Sequence, residues 1–88
     1  MASVRLPSVL RPLANGATAI PIEATRLDAL PGELRARHPA LAERVLAGEG
    51  FSEFVTVFVD GEDARHLDGA VALGERTEVT LLPAISGG

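Results

Sequence analysis

Phe54-Val55-Thr56-Val57-Phe58-Val59-Asp60-Gly61 is the stretch on which the fold turns. Six consecutive β-branched or aromatic residues suit a pleated, packed strand, and Asp-Gly tolerates the positive φ that tight hairpin turns require. A strand followed by a hairpin is therefore expected here. A two-residue loop would set Val57 opposite Ala64 and Val55 opposite His66, while a longer loop satisfies the residues equally, so the register stays open.

Outward toward the N-terminus, Val4 and Leu6 alternate with Ser3 and Arg5, and Ile20 and Ile22 alternate beyond Asn15-Gly16. This reads as a first hairpin, whose connection Pro7 and Pro12 make longer than a two-residue turn. Thr25 offers an N-cap oxygen, with Asp28 three residues on as a short relative of the capping-box glutamate. Leu27, Leu30, Leu34 and the region of His38 recur at helical spacing for burial against a sheet. Pro31-Gly32 signals either a kink or a regular helix that begins near Pro31, with the proline in the first turn. Pro39 opens a second helical stretch through Leu41, Val45 and Leu46, which Gly48 is expected to end.

Toward the C-terminus, Gly74-Glu75 marks a turn and Val79-Thr80-Leu81-Leu82 a last strand, with Pro83 expected to stop the ladder. The order strand, strand, helix, strand, strand, strand predicts an α+β domain: a mixed sheet covered on one face by helix, with the ubiquitin-like β-grasp as the natural candidate. The expected division is 1–82 for the domain and 83–88 for a flexible tail ending in Gly87-Gly88.

Composition narrows the function. At 88 residues there is room for one core, and such a chain buries roughly 60 to 65% of its unfolded surface, so regular layers must hold it. With no cysteine, a disulfide scaffold, a thiolate zinc site and a cysteine nucleophile are excluded. Twelve acids against eight bases give a net charge of −4, which argues against nucleic-acid binding. All eight bases are arginine, so no lysine side chain is available for self-acylation. No apolar run reaches the roughly 20 residues of a membrane span, no signal-type stretch opens the chain, and Pro7 and Pro12 would break a transit-peptide helix. A cytoplasmic protein without membrane contact is expected. His38 and His66 are distant from each other and read as surface or helix-end residues, so no metal site is expected. No serine lies in a nucleophile elbow, and the acids Glu62, Asp63, Glu75 and Glu78 read as solvated turn residues.

Val79-Thr80-Leu81-Leu82-Pro83-Ala84-Ile85-Ser86-Gly87-Gly88 resembles the last strand and tail of the ubiquitin-like sulfur carrier proteins, the family of the molybdopterin synthase small subunit, the thiamin-pathway carrier and the CysO type. The hairpin Phe54 to Asp68 is similar to the family's central hairpin, and Leu10-Arg11-Pro12 after the first strand resembles the CysO type. The resemblance implies a carrier that is not an enzyme and holds no cofactor of its own. It also implies that Gly88 is the site of adenylation and thiocarboxylate formation, at the expense of ATP bound by an E1-like activating partner. A sulfur-accepting biosynthetic enzyme, for cysteine, molybdopterin, thiamin or a thio-metabolite, would be the second partner. The residue types suit this chemistry: a carboxylate becomes electrophilic as an acyl adenylate, and two glycines without β-carbons let the chain enter a narrow channel. Ile85, Ser86 and Gly87 would govern that access. The alternative is a ubiquitin-like modifier, joined through Gly88 to a lysine of another protein.

Strand alternation adds one expectation. If Val55, Val57, Val59, Val79 and Leu81 face the helices, then Thr56, Phe58, Thr80 and Leu82 lie on the opposite face beside Arg5. That would leave Phe58 and Leu82 in water, as a patch for docking the activating enzyme.

Overall fold

The computed structural model describes residues 1–84. Seven strands and two α-helices follow one another as β1 (Ser3–Arg5), β2 (Ala19–Pro21), α1 (Leu30–Arg37), α2 (Pro39–Val45), β3 (Leu46–Ala47), β4 (Gly50–Phe51), β5 (Val55–Val59), β6 (Glu62–Asp63) and β7 (Glu78–Pro83). Short 3-10 helices cover Arg11–Ala14, Leu27–Ala29 and Ala64–His66. The main sheet has the order β2-β1-β7-β5-β6, with β1 and β7 parallel and every other pair antiparallel. It is the mixed sheet that the element order predicts.

Alternation along the strands decides the core. In β7, Val79 and Leu81 are wholly buried while Glu78 and Leu82 are exposed, and in β5 Val57 and Val59 are buried. Leu30, Leu34, Leu41 and Val45 from the two helices meet them, together with Val4, Leu10 and Ile22. Each such side chain contributes about 1.5 to 3 kcal/mol by leaving water. No buried side-chain nitrogen or oxygen lacks a hydrogen bond among the described residues.

The hairpin closes on the tight turn. Asp60 (φ 49°) and Gly61 (φ 86°) both take left-handed backbone, which sets Val59 opposite Glu62 and Phe58 opposite Asp63. The Asp60 carboxylate also accepts from the Glu78 amide at 2.8 Å, and Glu78 O accepts from the Asp60 amide at 2.8 Å, so the turn is fastened to the start of β7. After Asp63 the chain leaves the ladder into the 3-10 helix Ala64–His66, so Ala64 and His66 never pair with Val57 and Val55.

Three local expectations need correction. Thr25 does not cap a helix: Arg26 precedes the 3-10 helix Leu27–Ala29 and no side chain caps it. Backbone carbonyls of a distant loop take those donors instead, Leu27 N–H to Val71 O at 3.0 Å and Asp28 N–H to Gly69 O at 2.8 Å. Asp28 pairs with Arg26 at 2.6 Å rather than closing a capping box. The regular helix begins at Leu30 with Pro31 in its first turn, which decides between the two readings of Pro31-Gly32. Gly48 does not end α2; Leu46 turns extended, and Gly48 (φ 63°) makes the turn between β3 and β4.

The ladder also continues past Leu82. Pro83 lies opposite Val55, and the Ala84 amide donates to Phe54 O at 2.6 Å. Pro83 fits because of parity. Phe54 and Asp60 bond to β7, so Val55, between them in the alternation, turns its backbone groups away from β7, and the facing Pro83 has no donor to supply there. On its other flank β1 has already ended at Arg5, opposite Thr80.

Candidate functional site

β7 runs through the centre of the sheet between β1 and β5, and its C-terminal end, past the last β1 pair at Arg5–Thr80, is flanked by β5 alone. The expected tail residues Ile85, Ser86, Gly87 and Gly88 lie outside the described residues. Their base does not. Val9, Phe54, Pro83 and Ala84 surround a hollow of about 350 Å³, with Arg44 as its charged member.

The open face of the sheet carries the rest of the expected constellation. Arg5 and Phe58 both pair with Thr80, so the three form one row across β1, β7 and β5. Thr56 and Leu82 form the next row toward the tail. Register therefore brings the five residues together, and Val57, Val59, Val79 and Leu81 lie on the buried side as alternation requires. Depth differs from the expectation at one place: Leu82 is 43% exposed, but Phe58 is half-buried rather than in water. Thr80 lies opposite it in the ladder, and Thr56 precedes it by two residues on the same face. Val55 is likewise only half-buried.

The large exposed aromatic is Phe54, at 68%. The expected patch omits it, although it opens the same alternation as Thr56 and Phe58. Its carbonyl holds the Ala84 amide, which seats the ring beside the point where the tail departs.

Ion pairs frame the face. Arg5 reaches Glu78 at 3.7 Å across the surface. Asp63 is held by the Arg65 side chain at 2.6 Å and by the Arg65 amide at 2.9 Å, which lowers its carboxyl from 3.8 to about 2. Among the described residues no three of His, Asp and Glu gather as a metal centre, and no helix is long and apolar enough to cross a membrane. His38 sits at the joint of α1 and α2, where its amide donates to Leu34 O and its carbonyl accepts from Ala42, and His66 is exposed.

Comparison with known proteins gives this arrangement a family. The sequence profile of the ThiS family matches residues 4–88, which includes the diglycine end. The sulfur carrier protein CysO of Mycobacterium tuberculosis is 31% identical over 90 residues, covering 98% of this chain and 97% of the relative. Its crystal structure, described as that of an antigen, superposes with a TM-score of 0.81 at 29% identity over 97% of this chain and all of the other. CysO from Amycolatopsis orientalis, crystallised in complex with BexX, gives 0.85 at 25% identity over the whole of both chains. The β-grasp sheet, its pairing and the match through residue 88 agree: the chain belongs to the ThiS family of ubiquitin-like sulfur carrier proteins, which are carriers and not enzymes.

Proposed function

We propose that the Gly88 carboxylate is the working group, adenylated by an E1-like enzyme and converted to a thiocarboxylate that donates sulfur to a biosynthetic acceptor. The carboxylate oxygen attacks the α-phosphorus of ATP and pyrophosphate leaves. A sulfide-level sulfur nucleophile then attacks the acyl carbon, and AMP leaves with one of the two carboxylate oxygens, so that oxygen is exchanged for sulfur. ATP belongs to the activating enzyme, and this chain brings no cofactor. An ATP-dependent cycle of this kind suits a cytoplasmic protein.

The observation that carries this reading is the family match, which runs through Gly87-Gly88 in sequence, together with a last strand, β7, in the middle of the sheet whose end is fastened by the Phe54–Ala84 hydrogen bond. Ile85, Ser86 and Gly87 form the lead that threads the partner's channel. Docking falls to the open face, Arg5, Thr56, Phe58, Thr80 and Leu82, extended by Phe54 at the tail's base. Apolar side chains left in water beside a reactive tail suit a partner surface. That a CysO relative crystallises in a complex with BexX supports a carrier that works by docking.

The test is intact-mass measurement after incubation with ATP, the cognate activating enzyme and a sulfur source. The expected result is a gain equal to the difference between sulfur and oxygen, located on the C-terminal peptide. Covalent conjugates to lysines of other proteins, with no free thiocarboxylate, would replace the carrier reading by the modifier. An unchanged mass in the presence of active enzyme would refute both.

A further inference from the structure

The hollow of about 350 Å³ at the base of the tail lies on the side of the sheet that the helices cover. Pro83 shares the parity of Val79 and Leu81, and its cross-strand partner Val55 shares that of Val57 and Val59, so the wall they form faces away from Phe58 and Leu82. Arg44, from the last turn of α2, and Val9, from the connection between β1 and β2, complete it. Phe54 borders both sides, since it lines the hollow and shares the parity of Thr56 and Phe58.

Among the described residues the large apolar side chains standing in water are Met1, Val9, Phe54 and Leu82, and all but Met1 gather around this one point. Single apolar residues on a surface need no explanation, whereas a cluster marks a place for a partner. The charge beside them is uncommitted. Arg5, Arg26, Arg37 and Arg65 each pair with an acid, and Arg11 and Arg35 donate to backbone carbonyls. Arg44 is exposed and makes neither an ion pair nor a hydrogen bond with the described residues. A cation in the last turn of a helix complements the helix dipole, which accounts for a charge at this position but not for its apolar neighbours.

We propose that this hollow docks an acidic, apolar segment of the activating enzyme: an aliphatic or aromatic side chain seated between Val9 and Phe54, beside an aspartate or glutamate that the Arg44 guanidinium holds by two parallel hydrogen bonds. The inference rests on the proposed function, in which that enzyme takes the tail into a channel. An enzyme that encloses the tail meets its base on both sides of the sheet, and the open face supplies one of them. The hollow supplies the other, with Phe54 between the two. Charge selects the occupant. Arg44 is the charged residue of the hollow and calls for a carboxylate, while a second copy of this chain would bring a net charge of −4 against −4.

The experiment is ATP–pyrophosphate exchange by the cognate activating enzyme with the carrier titrated as substrate, which separates KM from kcat, alongside thermal melting of each variant. Arg44→Gln is expected to raise the KM for the carrier about tenfold and leave kcat in place, because the contact at the tail's base is the same before and during the chemical step. Arg44→Lys, which keeps the charge and loses the planar fork, should recover part of that loss. Val9→Ala should raise KM about threefold. Added salt should narrow the gap between wild type and Arg44→Gln. Equal KM values for those two, with or without a lower thermal midpoint in the variant, would reduce Arg44 to a helix-end charge and overturn the inference while the carrier reading stands. A defect seen only when the loaded carrier meets its sulfur acceptor, or self-association that Arg44→Gln abolishes, would overturn the choice of occupant. No exchange with the wild-type carrier would overturn the proposed function and this inference with it.

Discussion

Phe54→Ala should be the most damaging single truncation on the proposed docking face and among the least damaging to folding. A phenylalanine offers about 150 to 250 Å² for burial, and 68% of Phe54 is exposed, which leaves roughly 100 to 170 Å² for a partner to cover. At about 25 cal/mol per Å² that is an upper bound of about 2.5 to 4 kcal/mol, or on the order of a hundredfold in affinity. Leu82 has 43% left to bury, worth about 1 kcal/mol and about fivefold. Phe58 is half-buried in the free protein, so Phe58→Ala should divide its effect between folding and binding. Calorimetric titration against the activating enzyme, with urea unfolding of each variant in parallel, separates the two. The expected order in affinity is Phe54 before Leu82, with Phe54→Ala losing under about 1 kcal/mol of stability. Wild-type affinity in Phe54→Ala beside a large loss in Phe58→Ala would refute the assignment of the anchor.

Glu33 accepts from the Glu23 amide at 2.8 Å and the Ala24 amide at 2.6 Å, with only 11% of its side chain exposed, so Glu33→Ala should cost about 2 kcal/mol and lower the thermal midpoint by about 10 °C. Glu33→Gln, which keeps one acceptor, should recover part of this in the same melting experiment. Asp63 has its carboxyl lowered from 3.8 to about 2 by Arg65, so its contribution to stability is present above pH 3.8 and is lost as pH falls toward 2. Arg65→Gln should return its NMR titration midpoint toward 3.8, and an unmoved midpoint would contradict the assigned cause. Gly87→Val, or one residue added after Gly88, should leave circular dichroism native-like and abolish ATP–pyrophosphate exchange with the activating enzyme. Trimming the extension back to Gly88 should restore exchange, whereas sulfur acquisition by an untrimmed extension would refute the carrier reading.

What was legible in the sequence is what local physics decides. Period-two alternation sorts Val57, Val59, Val79 and Leu81 from Thr56, Thr80 and Leu82, and the positive φ at Asp60 and Gly61 is written in their residue types. Thr25 misled because its rivals were carbonyls of Val71 and Gly69, far along the chain, and local capping rules cannot see such partners. Gly48 misled for a related reason: a positive φ suits a helix end and a hairpin turn equally, and the pairing of Leu46 with Phe51 chose the turn. The face of Phe58 was legible but its depth was not, since depth is set by neighbouring side chains across the sheet. Phe54 was within reach, as it shares the parity of Thr56 and Phe58. Its bond to Ala84 follows only once the register is known.

The parallel alignment of β1 with β7 has a practical reach. Ser3 stands beside Glu78 and Arg5 beside Thr80, so both strands start at the same end, and the Met1 amine stays there, donating to Glu75 O at 3.2 Å. The chain leaves β7 at the other end, about 20 Å away at about 3.3 Å per residue. A fluorophore, affinity handle or surface tether attached to Met1 is therefore held a sheet's length from the end of β7 at Pro83. Cargo loading could be followed on an immobilised or labelled molecule without the handle standing in the enzyme's way.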